Sequence, residues 1–274
     1  MSSSANLVYR NTAGHKGRHI AITPKAGAIQ RLHYGRIILD ADVTSVSFET
    51  GSREVGLICL QGTCSIRVKG ETYVLRRYDA LYVPRGAEVE VTSSTRVDLV
   101  DLVEFGAEVE GDYPTQLVRY ADIEKDPALR FHAGGASSSR MLNVLLGGNV
   151  KAGRILGGFT RSEPGHWTSW PPHEHAAMLE ELYVFFDMPY PAFGIQCVYG
   201  RQDEPPFVSI VKDGDAVCIP AGYHPNVAIP GQPINFVWLM AAHREGVDRK
   251  MGVVNVEAAF AASGSGLEAA TRGR

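Results

Sequence analysis

Three histidines and a pair of glutamates carry the metal-binding chemistry suggested by this sequence. His173 and His175 lie one residue apart in WPPHEH. An extended strand would place both imidazoles on one face, because successive side chains alternate between faces. Glu180 and Glu181 follow in LEELYVFF, and His224 lies in PAGYHPN. Imidazole and carboxylate ligands suit Zn, Mn, Fe, Ni or Co and leave a position for water or substrate, so we predict a divalent metal site.

The two glutamates cannot both face the metal on a regular strand. Glu181 shares the parity of the two histidines and of Tyr183, which favours Glu181 as the ligand. The intervening AAML could form a loop that shifts this parity, so Glu180 remains the alternative ligand.

Composition and charge exclude several classes of partner. With 274 residues and a formal net charge of −3, the chain gives no electrostatic reason to expect binding to nucleic acid or to a membrane surface. The N-terminus has no apolar signal region, and no apolar run is long enough to span a membrane. The four cysteines lack CxxC spacing, which favours free thiols in a reducing compartment. We therefore expect a cytoplasmic protein without a membrane or nucleic-acid partner.

Short apolar runs separated by turn residues are typical of an all-β protein. Such runs fill Gly35 to Phe105 and, again, Arg140 to Ala242, while residues 106–138 lose the alternation and gain charges. The predicted organisation has four parts: an N-terminal arm and edge strand (1–35), a first barrel without metal plus a connection (36–138), a metal-binding second barrel (139–245) and a C-terminal tail (246–274).

An internal repeat links the two strand-rich halves. DALYVPRGAE begins at Asp79 and DAVCIPAGYH at Asp215, with aspartate, alanine, proline and glycine at identical spacing. Glu88 stands where His224 stands in the second copy, and the first half contains no His-x-His. We therefore expect the second half to bind the metal and the first half to support structure or assembly.

On these motifs the chain resembles the cupin superfamily, whose barrels hold a metal on His-x-His, a following Glu and a later His. The tandem arrangement is similar to a bicupin, with two β-sandwich or jelly-roll barrels. The segments SSRMLNVLL, GHWTSWPPHEH, LEELYVFF, FGIQCVYG and VKDGDAVCIPAGYHPNVAIPG resemble more closely the 5-deoxy-glucuronate isomerase family of bacterial myo-inositol catabolism. The resemblance implies a metal, with Zn the first candidate, on the ligands His173, His175, Glu181 and His224.

The same resemblance implies an aldose–ketose isomerase that converts 5-deoxy-D-glucuronate to 5-dehydro-2-deoxy-D-gluconate through an enediol. A bound cation would act as Lewis acid, and a general base would complete the site. The candidates for proton transfer are Glu180, Glu174, a hydroxide on the cation, and Tyr223 as donor; the residues alone do not rank them.

Three further residues are candidates for binding a small sugar acid. Arg140 and Asn143 match positions that recur in the family and could bind a carboxylate through paired hydrogen bonds, although an ion pair between domains would also use them. Gln196 is a pocket candidate by family match, with a hydrogen-bonded core amide as the alternative.

Two other classes of function use the same sequence features. The first is an Fe-dependent cupin dioxygenase with oxygen at the open metal position. The second is a non-catalytic cupin that binds a small ligand, although a complete metal ligand set is more than sugar binding requires. In each case we expect a homo-oligomer.

Overall fold

The computed structural model describes residues 6–24, 28–95, 98–204, 206–263 and 266–267. The described residues contain many short strands, one short α-helix and one 3₁₀ helix (Ala258–Ser263), which confirms the predicted all-β fold. The elements are β1 (Val8–Tyr9), β2 (Gly17–Ile22), β3 (His33–Leu39), β4 (Ser45–Glu49), β5 (Arg53–Gln61), β6 (Cys64–Val68), β7 (Glu71–Leu75), β8 (Ala80–Val83), β9 (Glu88–Ser93), β10 (Val100–Glu108), β11 (Gln116–Val118), α1 (Tyr120–Ile123), β12 (Arg130–Ala133), β13 (Arg140–Leu146), β14 (Ile155–Ser162), β15 (Trp167–Thr168), β16 (His173–Glu174), β17 (Leu179–Phe185), β18 (Gly194–Val198), β19 (Phe207–Val211), β20 (Ala216–Ile219), β21 (Asn226–Ala228), β22 (Asn235–Ala242) and β23 (Asn255–Val256). Among the helices of the described part of the chain, none has the length and apolar character needed to cross a membrane.

The first half of the chain forms two sheets that enclose one apolar core. The larger sheet has the order β11-β8-β5-β10-β3-β2, and the smaller one has the order β4-β9-β6-β7. Leu57 and Leu81 from the larger sheet share a buried cluster with Ile66 from the smaller sheet. Lys69 and Gly70 both have positive φ and form the two-residue turn of the predicted hairpin between β6 and β7, since this turn type needs left-handed backbone.

The second half repeats this plan. A seven-stranded sheet has the order β1-β20-β17-β22-β14-β13-β12, and a four-stranded sheet has the order β15-β21-β18-β19. Tyr183 and Phe236 from the larger sheet share a buried cluster with Val198 from the smaller one; we call this cluster the second-half core. β1 pairs with β20, so the start of the chain belongs to the second half's sheet. The grouping of the sheets into two halves is consistent with the predicted tandem cupin. The exact domain boundaries stay a prediction.

The two large sheets pack against each other through a third buried cluster, which we call the interface core. It contains Ile58 and Phe105 from the first half and Phe159 and Leu182 from the second. Both faces of β17 are therefore buried. Leu182 and Val184 face the interface core, while Tyr183 and Phe185 face the second-half core. Because side chains alternate along the strand, Glu180 points toward the interface core and Glu181 toward the interior of the second half.

The strand register shows that the two copies of the internal repeat occupy equivalent positions in the two halves. Ile58 of β5 pairs with Ala80, and Val184 of β17 pairs with Ala216. Since Ala80 and Ala216 hold matching positions in the repeat, β5 corresponds to β17. Counting back four residues, Glu54 corresponds to Glu180, and Val55 corresponds to Glu181.

Candidate metal centre

Three of the four predicted metal ligands converge inside the second half. Glu181 lies on β17, His175 directly follows β16, and His224 lies in the turn before β21. One ligand atom from each lies within 4.8 Å of the others, and all three side chains are buried. Glu181 Oε2 is 3.0 Å from His175 Nε2 and 3.2 Å from His224 Nε2. Glu181, which the alternation of side chains favoured over Glu180, is thus the glutamate that lies beside His175 and His224 in the structure.

Backbone carbonyl groups set the tautomer of each motif histidine. A carbonyl oxygen can only accept, so the ring nitrogen Nδ1 that contacts it must carry the proton, and Nε2 keeps its lone pair. The carbonyl oxygens of Pro171, Leu179 and Gly222 lie 2.9, 3.2 and 2.8 Å from Nδ1 of His173, His175 and His224, respectively. All three imidazoles are therefore oriented to offer Nε2 as a ligand.

This donor set fits a divalent cation. His224 Nε2 is buried and makes no hydrogen bond to any described residue, although the Glu181 carboxylate is close to it. Lone pairs that meet beside a buried carboxylate repel one another unless a proton or a cation lies between them. Burial lowers the pKa of His175, but the hydrogen bond and the charge of Glu181, together with the Leu179 carbonyl and the charge of Glu174, outweigh burial and raise the pKa above its usual value. Burial raises the pKa of Glu181, yet the two imidazoles lower it to about 2, so the carboxylate is ionised.

His173 lies beside the cluster but outside the 4.8 Å group. Its ring centroid is 4.9 Å from that of His224, and its side chain is buried and lines the adjoining cavity. Burial, followed by the neighbouring His224, lowers the pKa of His173 to about 3, so the imidazole is neutral at physiological pH. A neutral imidazole is the form that binds metals, and His173 stays the predicted fourth ligand.

A small cavity of about 40 Å³ adjoins His173 and Glu181. Its polar walls come from Arg140, Thr160, Ser169 and Tyr183. Its apolar walls come from Leu142, Phe236, Trp238, Met240, Met251 and Leu267. A metal site next to a mixed polar and apolar cavity is the arrangement expected for binding a small molecule.

Arg140 lies at this cavity, as its predicted role requires. The side chain is buried, with Nη1 donating to Ser138 O at 2.9 Å and Nη2 donating to Trp170 O at 2.7 Å. These contacts fix a guanidinium group in the wall of the cavity. A fixed guanidinium is suited to orient a carboxylate.

Asn143 lies outside the cavity, contrary to the expectation for a substrate-binding residue. It is three residues from Arg140 on β13, so it points to the opposite face of the strand. Its Oδ1 accepts a hydrogen bond from Tyr120 Oη at 3.0 Å, and its Nδ2 donates to Phe159 O at 3.4 Å. Asn143 is therefore satisfied at the interface core and does not reach the candidate metal centre.

Gln196 supports a candidate ligand, His224, and is not among the residues that line the cavity. Its Nε2 donates to the backbone carbonyl of His224 at 2.9 Å, and its Oε1 accepts from Asn226 Nδ2 at 3.0 Å. Asn226 Oδ1 in turn accepts from the hydroxyl of Thr168. This buried network holds the turn that presents His224, which makes Gln196 a positioning residue.

Glu180 is also placed differently from the prediction of a general base. Its carboxylate accepts hydrogen bonds from three consecutive backbone N–H groups of the first half, at 2.6 to 2.7 Å. It points away from Glu181 because adjacent residues on a strand face opposite sides. This geometry argues against Glu180 as base or as ligand.

Tyr223 shows a similar difference. It pairs with Tyr199 through the backbone, and the two rings pack with centroids 5.6 Å apart. The ring lies next to His224 in the chain but is not among the residues that line the cavity. The geometry therefore does not support Tyr223 as the proton donor.

Two residues that sequence reasoning did not assign a role belong to the site. Tyr183 lines the cavity, and its hydroxyl is 2.7 Å from Ser169 Oγ. Burial and the charge of Glu181 raise the pKa of Tyr183 well above its usual value, so the hydroxyl is neutral. Trp238 lines the same cavity, and its buried Nε1 has no hydrogen-bond partner among the described residues. The sequence did contain one indication that Tyr183 belongs to the site, because Tyr183 and Glu181 share one face of the strand.

Curated relatives with named activities resemble most of the chain. A 5-deoxy-glucuronate isomerase of Geobacillus kaustophilus is 26% identical over 252 residues, covering 86% of this chain and 88% of that protein. A 4-deoxy-L-threo-5-hexosulose-uronate ketol-isomerase of Opitutus terrae is 27% identical over 209 residues, covering 74% of this chain and 71% of that protein.

Solved structures show the same fold. The crystal structure of an IolB-like protein from Salmonella typhimurium LT2 has a TM-score of 0.81 at 24% identity and covers 92% of this chain and 97% of that one. Oxalate decarboxylase of Bacillus subtilis has a TM-score of 0.59 at 12% identity, covering 87% of this chain and 78% of that one, and shares the fold alone. The sequence profile of the KduI/IolB family matches residues 7–258, so this chain belongs to the KduI/IolB family.

Proposed function

We propose that this protein is a metal-dependent ketol-isomerase of a deoxy sugar acid, converting 5-deoxy-D-glucuronate to 5-dehydro-2-deoxy-D-gluconate. The observation that carries the proposal is the buried cluster of His175, Glu181 and His224 beside a cavity that also contains Arg140. The activities named for the relatives support the reaction class. Zinc is the first candidate for the cation because neutral imidazoles and one carboxylate are ligands that it accepts in catalytic sites.

The chain's own residues would bind and orient the substrate. A bound cation would act as a Lewis acid toward the substrate carbonyl. Arg140 would hold the substrate carboxylate through its guanidinium group. The neutral hydroxyl of Tyr183 and the indole N–H of Trp238 would donate hydrogen bonds to substrate oxygens, which would satisfy the otherwise unpartnered indole group. Burial of all three side chains excludes bulk water and strengthens these contacts.

The test is turnover by metal-stripped protein reconstituted with Zn, Mn, Fe, Co or Ni. Purified protein is incubated under anaerobic conditions in D₂O with 5-deoxy-D-glucuronate or with 4-deoxy-L-threo-5-hexosulose uronate, and products are followed by NMR. We expect ketose formation only with a cation, and deuterium at the carbon next to the carbonyl. Turnover that appears only in a parallel aerobic incubation would support the dioxygenase alternative, and binding without turnover in every metal form would support the non-catalytic one.

The internal repeat offers a matched pair of variants for this test. His224→Gln removes a proposed ligand, whereas Glu88→Gln changes the exposed residue at the corresponding position of the first half. We expect His224→Gln to weaken cation binding by more than the roughly 10–100-fold typical of residues that only support a ligand. Glu88→Gln should behave as the unmodified protein in both cation binding and turnover.

We also propose a homo-oligomer located in the cytoplasm. Val208 and Ile210 on the edge strand β19 are more than half exposed, at 55% and 52%, and Ile210 pairs with the partly exposed Ile195. Apolar side chains on an edge strand favour association with another sheet edge. Light scattering of the purified protein, with Ile210→Lys as the variant, tests the assembly. The four cysteines are free thiols, which supports a reducing compartment.

A further inference from the structure

The C-terminal segment of the chain passes over the candidate metal centre. We call its described residues, 251–263 and 266–267, the C-terminal strap. Met251 and Leu267 are buried and supply part of the apolar wall of the cavity. The family profile ends at residue 258, so Phe260 and Leu267 lie beyond the part of the chain that the profile matches.

The strap is attached to the strand that carries a ligand histidine. Its short strand β23 pairs with β16, so that Val256 lies opposite His173 and Asn255 lies opposite Glu174. Asn255 Nδ2 also donates to Glu174 Oε1 at 2.5 Å. A movement of the strap would therefore displace backbone that lies next to the candidate metal centre.

Farther along, side-chain contacts join the strap to the second half. Tyr199 Oη donates to Glu257 Oε2 at 2.7 Å, and the ring of Phe260 packs edge-on against Trp170 at 5.0 Å. The 3₁₀ helix that follows β23 contains no buried residue. Exposed segments with a short backbone pairing open at low free-energy cost, so the part of the strap between its buried ends, Met251 and Leu267, is held less firmly than the sheets beneath it.

The cavity below the strap is too small for the proposed substrate. Its volume of about 40 Å³ accommodates roughly one or two water molecules, whereas a six-carbon acid needs several times that space. The cavity residues on β13, β14, β17 and β22 lie on strands that pair with a neighbour on each side, whereas Ser169 and His173 lie outside that sheet. The strap is therefore the wall that can move to admit a ligand.

We propose that the C-terminal strap is the movable and specificity-determining wall of the substrate pocket, an inference that rests on the proposed isomerase function. It opens to admit the sugar acid and closes so that Met251 and Leu267 contact the deoxygenated part of the carbon chain. A hydroxyl at that position would be buried against apolar side chains without a hydrogen-bond partner. The strap would thus favour deoxy acids over the parent uronates.

A reversible tether tests the movement. Glu174 and Asn255 are directly paired on antiparallel strands, where Cα atoms lie about 4.5–5.5 Å apart, within the range that a disulfide bridges. The double variant Glu174→Cys with Asn255→Cys is compared with itself, oxidised and reduced, with each single variant and the unmodified protein as controls under the same oxidant. We expect oxidation to slow turnover at least about tenfold, and reduction to restore it. Measurable turnover that is equal in the two states would overturn the proposal.

A second readout does not depend on turnover. Release of bound Zn²⁺ or Co²⁺ to a colorimetric chelator should be slower in the oxidised double variant than in its reduced form. If no uronate is turned over in any form but this difference persists, the isomerase function fails while the movable wall stands. If uronates are turned over and both turnover and cation release are the same in the two states, the movable wall fails alone.

Leu267→Ala tests specificity. Truncating this side chain should narrow the preference for 5-deoxy-D-glucuronate over D-glucuronate by about tenfold, since one apolar contact group contributes discrimination of this order. Ala262→Ser, on the exposed 3₁₀ helix, is the matched control and should leave the preference unchanged. An unchanged preference in Leu267→Ala would refute the specificity role.

Discussion

Glu54 and Glu180 make the same contact in opposite directions across the interface between the two halves. The carboxylate of Glu180, in the second half, accepts hydrogen bonds from the backbone N–H groups of residues 30–32. The carboxylate of Glu54, in the first half, accepts hydrogen bonds from those of residues 153–155 and from Tyr82 Oη. Residues 30–32 lead into β3 of the first half, and residues 153–155 lead into β14 of the second half. The repeat thus includes two reciprocal contacts, which we call clamps, in each of which a glutamate of one half binds three backbone N–H groups of the other half.

Replacing either glutamate by glutamine should destabilise the fold. Hydrogen bonds to a charged group contribute about 1.5–3 kcal/mol, and an amide would bring a donor against the three N–H groups. We expect Glu180→Gln and Glu54→Gln each to lower the free energy of unfolding by about 2–3 kcal/mol. Urea denaturation measures this, with the exposed Glu88→Gln as control. Normal stability with abolished turnover in Glu180→Gln would restore this residue as the general base.

Gln196→Leu should weaken cation binding without removing a ligand. The substitution deletes the amide that holds the backbone carbonyl of His224, and loss of such a supporting group costs roughly 10–100-fold in metal affinity. Calorimetric titration with Zn²⁺ measures the change. Gln202→Leu is the control, because Gln202 is exposed and contacts only Glu257 in the described structure. Equal affinity in the two variants would show that the turn positions His224 without Gln196.

Arg140→Lys should separate substrate binding from metal binding. Lysine keeps the positive charge but loses the planar pair of donors, so we expect KM to rise about tenfold or more with little change in cation affinity. Steady-state kinetics and cation titration measure the two quantities on one preparation. A thermal melt checks the contacts of Arg140 with Ser138 and Trp170. A lower kcat at constant KM would contradict the role in ground-state binding.

His33 should give the stability of the protein a specific pH dependence. Burial, and then the charge of the neighbouring Arg53, lowers the pKa of His33 from 6.5 to about 4. The unfolded chain therefore binds a proton that the folded chain does not bind between these two pH values. The contribution of His33 to stability is complete above about pH 6.5 and decreases as the pH falls toward 4. In urea titrations, His33→Gln should lose less stability than the unmodified protein between pH 7 and 4.5; parallel curves would exclude this role.

Much of the candidate metal centre could be predicted from sequence, because the side-chain alternation that places its residues is a property of single strands. The alternation of side chains along a strand selects Glu181 over Glu180, and the same alternation places Tyr183 at the cavity. The all-β fold followed from short alternating runs, and the repeat indicated two related halves. These features depend on spacing within single elements.

The misplaced residues depend on packing between elements. Asn143 and Glu180 lie on strands with both faces buried, so a buried polar residue on such a strand belongs either to the interior of the barrel or to the interface core. The sequence contains no signal that distinguishes these faces until the partner sheet is known. Gln196 and Tyr223 were assigned to the pocket because they lie near the candidate ligands in the chain or match the family, while their partners in the structure, the His224 carbonyl and the Tyr199 ring, lie just outside the strands β21 and β18.

The exchange of clamps between Glu54 and Glu180 makes each half dependent on the other. If the second half were produced alone, the N–H groups of residues 153–155 would lose their acceptor, and Glu180 would keep a buried charge without donors. The apolar surface of the interface core would also face water. Dissecting the protein into a minimal catalytic fragment should therefore yield an insoluble product, and engineering for a smaller enzyme would have to rebuild that surface first.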